Sequence, residues 1–523
     1  MTINIPFWEP RYESNRIYKT SGALALVIFL SLNALAQSAV APASPEPTPR
    51  AVVRTAPAQE NAPIKIGSLT VSGSVNARVE SWDWFDSDAA DGSYNYPAIV
   101  LRLGIGQSKE KFEWFVEGLA PVLLNLPDNA IAPAPQGQLG LGAVYFAANG
   151  RRNTGLNFDQ GYVRFKGLFG NAGSSLKLGR FEFGDGLEVM PADPTLAALK
   201  RTRVAQRLIG PFGFTHVTRS FDGALYAHQS KTSNFTFLAA RPTSGAFDIN
   251  ANNELDIDFY YGAFTKPLKH KSGASEYRLF TMHYHDGRRV LKTDNRPAAA
   301  RAADFGKIRL TTTGGHFISA FKTGGGKTDV LVWGAGQFGN WGNLDHRAGA
   351  IAFEVGYQPG GKLAEKIRPW IRGGYFRSTG DGDPTDGANG TFFQNLPTAR
   401  AFARFPFFNL MNNEDTFAEL RLRPSPKLTI RGDIRYLRLS NENDLWYQGG
   451  GAFQKQTFGF AGRPSLGGKS LGTLADVSLD YAVTPRTQLS FYLGGVRGGS
   501  VISNIHPLGG NARFAYVEIN QRF

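Results

Sequence analysis

The feature that most constrains this chain is a period-2 alternation that recurs from about residue 64 to the C-terminus. Leu69, Val71, Gly73, Val75, Ala77 and Val79 fall on one face of an extended segment, and Thr70, Ser72, Ser74, Asn76, Arg78 and Glu80 fall on the other. Leu428, Ile430, Gly432, Ile434 and Tyr436 alternate with Thr429, Arg431, Asp433 and Arg435 in the same way. Side chains of a strand point to opposite faces at successive residues, so each segment reads as a strand with one apolar and one charged face. A soluble sandwich also alternates, but its polar faces rarely carry so many full charges. Beyond residue 36 no stretch approaches 18 consecutive apolar residues, which excludes helical membrane spans and leaves a barrel open.

The ends of the chain support the barrel. Arg11, Arg16 and Lys19 precede an apolar run from Ala23 to Leu35 that closes in Ala34-Leu35-Ala36, the pattern of a cleaved secretory signal. Residues 1–36 are therefore expected to be removed. Residues 37–63, rich in Ala and Pro, are expected to be a disordered linker. The last segment is amphipathic and ends in Phe523, as outer-membrane assembly signals do. Aromatics expected at the membrane interfaces are Phe259, Tyr261, Tyr436 and Tyr481.

Segments near 66–83, 97–107, 111–123, 156–168, 174–185, 213–230, 233–242, 254–266, 275–287, 306–321, 327–339, 347–358, 366–378, 414–424, 427–440, 471–484, 486–498 and 512–523 read as strands. The fold class is thus all-β, a single-chain transmembrane antiparallel β-barrel of about 18 strands, with about 16 as the alternative. Residues 64–523 form it. Ser108-Lys-Glu-Lys and Pro424-Ser-Pro read as short periplasmic turns. The stretches near 124–155, 186–212, 379–413 and 441–470 read as long extracellular or inward-folded loops.

If the apolar faces meet lipid, the charged faces line the lumen. The net charge of +14 points to an anionic partner. The basic lumen set includes Arg102, Arg164, Lys166, Lys177, Arg368, Arg372, Arg421, Arg423, Arg431 and Arg435. The acidic set is Glu113, Glu117, Asp159, Asp256, Asp258, Glu354, Glu419, Asp433, Asp476 and Asp480. Six of the arginines, from Arg368 to Arg435, fall on three neighbouring strands and make a basic wall, with Arg400 and Arg404 in the adjoining loop. A guanidinium stays charged and grips a carboxylate with two hydrogen bonds, so the wall suits a polyanion. The same arginines can instead brace the wall by pairing with Glu419 and Asp433. The basic stretch 196–207, with Lys200, Arg201, Arg203 and Arg207, either folds into the pore as a constriction or faces anionic lipopolysaccharide outside.

Other motifs lead elsewhere or nowhere. Gly324-Gly-Gly-Lys-Thr328 lacks the first glycine of a phosphate loop, where Phe321 stands, and reads as a hairpin turn. His283 and His285 share one face and read as lumen polarity. The absence of cysteine excludes a thiol nucleophile or Cys-ligated zinc, and no nucleophile elbow is present, so no enzyme is expected. No cofactor is expected. Calcium is admitted only at Asp381, Asp383 and Asp386, in a geometry other than the helix-loop-helix one.

With those residues in view, the sequence resembles the alginate export porin family of 18-stranded outer-membrane barrels. Leu176-Lys-Leu-Gly-Arg-Phe-Glu-Phe-Gly-Asp-Gly-Leu187 is similar to the family's Gly-Arg strand and Gly-Asp-Gly turn, and Thr218-Arg-Ser-Phe-Asp-Gly223 to its Arg-x-Phe-Asp-Gly strand entry. The run from Arg372 through Asp381, Asp383 and Asp386 to Pro397 is similar to a third stretch. The resemblance adds Arg180, Asp185, Arg219 and Asp222 to the expected pore residues, Arg180 being turned inward by a bulge. It implies a monomeric outer-membrane channel that passes an anionic, alginate-like polysaccharide. It implies contacts with outer-membrane lipid and lipopolysaccharide, leaves room for periplasmic export partners, and gives no role to nucleic acid. A small-anion porin, a non-conducting structural barrel and a barrel enzyme are the competing readings.

Overall fold

A computed structural model describes residues 64–398 and 403–523. The expected signal segment and linker, and Arg400, lie outside the described residues. The barrel strands are β1 (Leu69–Asp83), β2 (Ser93–Ser108), β3 (Phe112–Leu123), β4 (Asn157–Lys166), β5 (Ser174–Phe181), β6 (Phe221–Gln229), β7 (Asn234–Pro242), β8 (Ile257–His270) and β9 (Gly273–Asp286). They continue as β10 (Ile308–Thr323), β11 (Gly326–Trp341), β12 (Leu344–Gln358), β13 (Trp370–Ser378), β14 (Asn413–Ser425), β15 (Leu428–Leu439), β16 (Ser470–Ala482), β17 (Thr487–Gly498) and β18 (Asn511–Arg522). Each pairs antiparallel with the next, and β1 closes the ring on β18 from Ser74↔Arg522 to Asp83↔Arg513. The strand count is therefore 18 and not 16. Closure leaves no barrel edge unpaired, which lipid requires.

The two ends differ. Tight turns such as Gly324–Gly325, between the paired residues Thr323 and Gly326, gather at the end that also holds Phe523. Gly324 takes φ +55°, which a glycine adopts freely, so that motif is a hairpin. Long connections gather at the other end, apart from Gly342–Asn343, which joins β11 to β12 directly.

The alternation sorts the faces. Leu103, Phe237, Leu279, Val332, Ile351, Ile434 and Leu493 are exposed on the outside, while Glu80, Glu117, Glu354, Arg372, Asp433 and Arg435 are buried within. Tyr436 and Tyr481 face outward as expected. Phe259 and Tyr261 do not: they are buried inside, and Tyr260 holds the outward place on β8. The expected parity there was off by one residue. His283 and His285 also sit on the outward parity of β9, where His283 bonds Thr311 and His285 lies 3.6 Å from Asp258.

The core sits inside the barrel. Trp82 stacks on Phe514 at 4.0 Å, and Phe405, from an inward loop, meets the Trp82 ring at 6.1 Å. Phe393 packs on Trp341 at 5.1 Å and on Tyr284 at 5.4 Å. Burying a phenylalanine contributes about 1.5–3 kcal/mol, so these rings hold their loops inside the mouth. Gln337 on β11 adds a polar clasp: its amide donates to the Phe393 carbonyl at 2.7 Å and accepts from the Phe393 N–H at 2.7 Å.

Candidate functional site

The basic stretch expected near 196–207 folds inward rather than facing outward. Asp193 caps its helix Pro194–Leu199 by accepting from the N–H groups of Thr195 and Leu196, and Pro194 opens it. The chain then runs along the inner wall. Lys200 is fully buried and its Nζ lies 2.5 Å from Glu276 on β9. Arg203 donates to Glu354 on β12 at 2.8 Å and lies over the Phe417 ring on β14. Arg207 lies over Trp333 on β11, 3.9 Å from Glu354. Arg201 stays exposed, but the other three cations, Lys200, Arg203 and Arg207, are buried and would not bury alone. They enter because the wall supplies carboxylates for them.

The wall itself is a ladder of paired charge. Arg372 on β13 meets Asp329 and lies 3.4 Å from Glu354. Arg421 donates to Glu419 at 2.9 Å. Arg431 spans Glu419 at 3.0 Å and Asp433 at 2.6 Å. Arg435 meets Asp415 and lies 3.5 Å from Asp433. Arg404 reaches from the loop to Asp480 at 3.1 Å and to the Tyr516 hydroxyl. The arginines are thus interleaved with acids, and the wall is not a run of one sign.

Five expected positions lie elsewhere. Arg368 caps a short helix, Lys362–Ile367, at the turn end and is exposed instead of standing on a strand. Arg180 keeps the outward parity of Leu178 because β5 pairs without a register shift. It clamps Asp222, also outward, at 2.6 and 2.7 Å. The bulge falls one strand over. Glu117 opposes Gln160 and Gly118 opposes Phe158, so Asp159 is the extra residue and turns inward beside Gln160. There Asp159 meets Arg102 and accepts from Thr218 at 2.8 Å. Asp256 and Asp258 also face outward, toward Arg241 on β7.

The remaining expected residues serve smaller tasks. Arg164 lies 3.3 Å from Glu113, and Lys166 bonds Ser108 at the turn end. Arg219 ties loops together through backbone carbonyls. Asp383 and Asp386 accept N–H groups of their own loop, from Thr385 and Ala388. Among the described residues no three His, Asp or Glu side chains group as metal ligands. The inward loop aromatics Phe392, Phe393, Phe405 and Phe407 were not anticipated as core; only their density in a loop could have signalled it.

Asp185 is a loop brace. It accepts the N–H groups of Ile209 at 2.9 Å and Leu208 at 3.1 Å. Burial pushes its carboxyl up to about 6, against the pull of Arg278. A carboxyl whose folded value exceeds its unfolded one destabilises the fold above that value and is relieved as pH falls through it. Acidification from pH 7 to 5 should therefore tighten this loop. Hydrogen exchange at Leu208 and Ile209, corrected for intrinsic rate, should slow, and Asp185→Asn should abolish the difference. Equal pH response in that variant would refute the assignment.

No curated protein matches the chain. Among solved structures the barrel is similar to OccK9 (OpdG) of Pseudomonas aeruginosa, with TM-score 0.53 and 11% identity over 87% of this chain and 98% of that one. It is also similar to OccK2 (OpdF) of the same organism, with TM-score 0.52 and 9% identity over 87% and 97%. At such identity the likeness concerns the fold. The profile of the alginate export family matches residues 149–515. That match spans well over half of the sequence, so the chain belongs to the alginate export family and is a channel barrel of the bacterial outer membrane.

Proposed function

We propose that the channel passes an anionic saccharide, a polyuronate of the alginate kind, by passive movement along the paired ladder of β13–β15. The observation that supports this reading most is the sharing of Glu419 and Asp433 among Arg421, Arg431 and Arg435. A uronate carboxylate can replace a wall carboxylate at one guanidinium and pass to the next, because no site is empty and none binds in isolation. Conduction needs such exchange between sites of moderate strength. The chain is a closed single barrel and acts as a monomer. Its family is one of export channels and not of enzymes.

The test is conductance of the refolded protein in planar bilayers under a salt gradient, with polyuronate added. The wild type should be anion-selective and blocked by polyuronate. Arg421→Gln, Arg431→Gln and Arg435→Gln together leave Asp415, Glu419 and Asp433 on the inner wall without these partners. Selectivity should then reverse toward cations and the block should disappear. A triple variant with unchanged reversal potential and block would remove the ladder from the transport path.

A further inference from the structure

Of the two readings of the 196–207 stretch, the one facing lipopolysaccharide falls away, since that stretch is inside. The outer surface of the barrel offers a different one. Arg309, Arg347, Arg377, Arg438, Arg497 and Arg513 all stand on outward parities at the loop end of their strands, and all are exposed. On the opposite side, around β5–β8, Arg180 and Arg241 are matched by Asp222, Glu254, Asp256 and Asp258. On β10–β18 the outward acids are fewer, Glu414 beside Arg377 and Arg438, Asp345 on the strand of Arg347 and Asp83 across from Arg513, so the excess of basic charge lies there.

Its best-formed part is a clamp across β13, β14 and β15. Arg377, Glu414 and Arg438 form one rung of paired residues. Arg438 Nε lies 2.5 Å from Glu414 Oε2, and Arg377 Nε lies 3.5 Å from Oε1. One carboxylate thus holds two guanidiniums in position, and a positive charge remains. The guanidinium side chains are 55% and 45% exposed, whereas Glu414 is 5% exposed. The next rung toward the turn end is Tyr375, Thr416 and Tyr436, followed by Gly373, Ala418 and Ile434, then Ile371, Leu420 and Gly432. The six steps of strand from Arg377 to Ile371 span about 20 Å. The order is charge, aromatic, aliphatic, on a face that lipid covers.

We propose that this face seats one phosphate-bearing lipid of the outer leaflet, with its phosphate on Arg377 and Arg438 and its acyl chains against the tyrosine and aliphatic rungs. Planar guanidiniums match phosphate oxygens two at a time. A free anion would gain nothing from the apolar rungs directly beneath, so the combination selects a lipid. The assignment rests on the outer-membrane location and not on the transported solute.

Native mass spectrometry of the full detergent-folded chain tests it, with bisphosphorylated lipid A, fully dephosphorylated lipid A and inorganic phosphate as probes. The bisphosphorylated lipid should be retained. Loss of the phosphates, or Arg377→Gln with Arg438→Gln, should each weaken retention about tenfold, the scale of one charge-assisted bidentate contact. Glu414 would be left unpaired in that variant, so a triple variant adding Glu414→Gln guards against misfolding and should show the same loss. Equal retention of dephosphorylated lipid, or full retention by the triple variant, overturns the proposal. Displacement of the lipid by inorganic phosphate at equal concentration also overturns it, by making the clamp a free-anion site.

Discussion

A Glu354→Gln protein should release the inward segment 194–209 from the barrel wall. Glu354 sits on the inner face of β12, almost fully buried, and three guanidiniums converge on it. Arg203 is 2.8 Å away, Arg372 3.4 Å and Arg207 3.9 Å. Arg372 retains Asp329 when Glu354 is neutralised. Arg203 and Arg207 lose the nearest carboxylate to both, in a dry site beside Phe417 and Trp333. Breaking a buried ion pair by removing one partner costs about 3–5 kcal/mol. The Pro194–Leu199 helix has only one turn and a half to resist that cost. Trypsin should then cut after Lys200, Arg201 or Arg203 in the folded barrel, where the wild type is protected, and single-channel conductance should rise. A variant that stays protected would mean that the segment is held by its apolar contacts, Leu196, Leu199 and Val204, and not by charge.

Much of the barrel was legible in the sequence because its physics is local. A strand that separates lipid from water must alternate, and the alternation of Leu69–Val79 or Leu428–Tyr436 states the face of every residue. The signal weakens where the chain leaves the belt. The segment beginning near 213 was read as strand eight residues too early; Phe214 and Val217 there belong to an inward loop. Parity also outweighed motif. Arg180 shares the parity of Leu178, and the family pattern suggested a bulge to turn it inward; the register shows none, and the bulge lies at Asp159 instead. Pairing of the wall arginines with Glu419 and Asp433 was one of two readings open in the sequence, and it is present; the ion pairs of the inward segment were not legible. Arg203 finds Glu354 across 151 positions of sequence, and no local pattern encodes a partner that distant. The wall arginines were visible as a set, but whether they face solute or one another depends on the acids of adjacent strands, which only the register of β13–β16 decides.

Arg219→Met should uncouple the loops that meet at the mouth. Arg219 lies just before β6, is 2% exposed, and among the described residues has no carboxylate partner. Its guanidinium donates instead to three backbone carbonyls from three stretches of chain: Gly210 at 2.9 Å, Gly451 at 2.7 Å and Pro397 at 2.5 Å. The face of the guanidinium lies over the Phe212 ring at 5.3 Å. No other side-chain type presents donors in three directions from one plane. Methionine fills a similar volume and donates nothing, leaving three carbonyls to find water or rearrange. An unmet buried acceptor costs about 1–3 kcal/mol, so the loops should separate while the strand ladder, which Arg219 does not join, stays closed. Heat-modifiable migration of the barrel should persist, whereas the channel should conduct more and flicker between levels. Arg219→Lys keeps the charge and part of the bonding and should fall between. If Arg219→Met conducts as steadily as the wild type, the clasp of Gln337 on Phe393 and the aromatic packing hold the loops without it, and the mouth is fixed by burial and not by this latch.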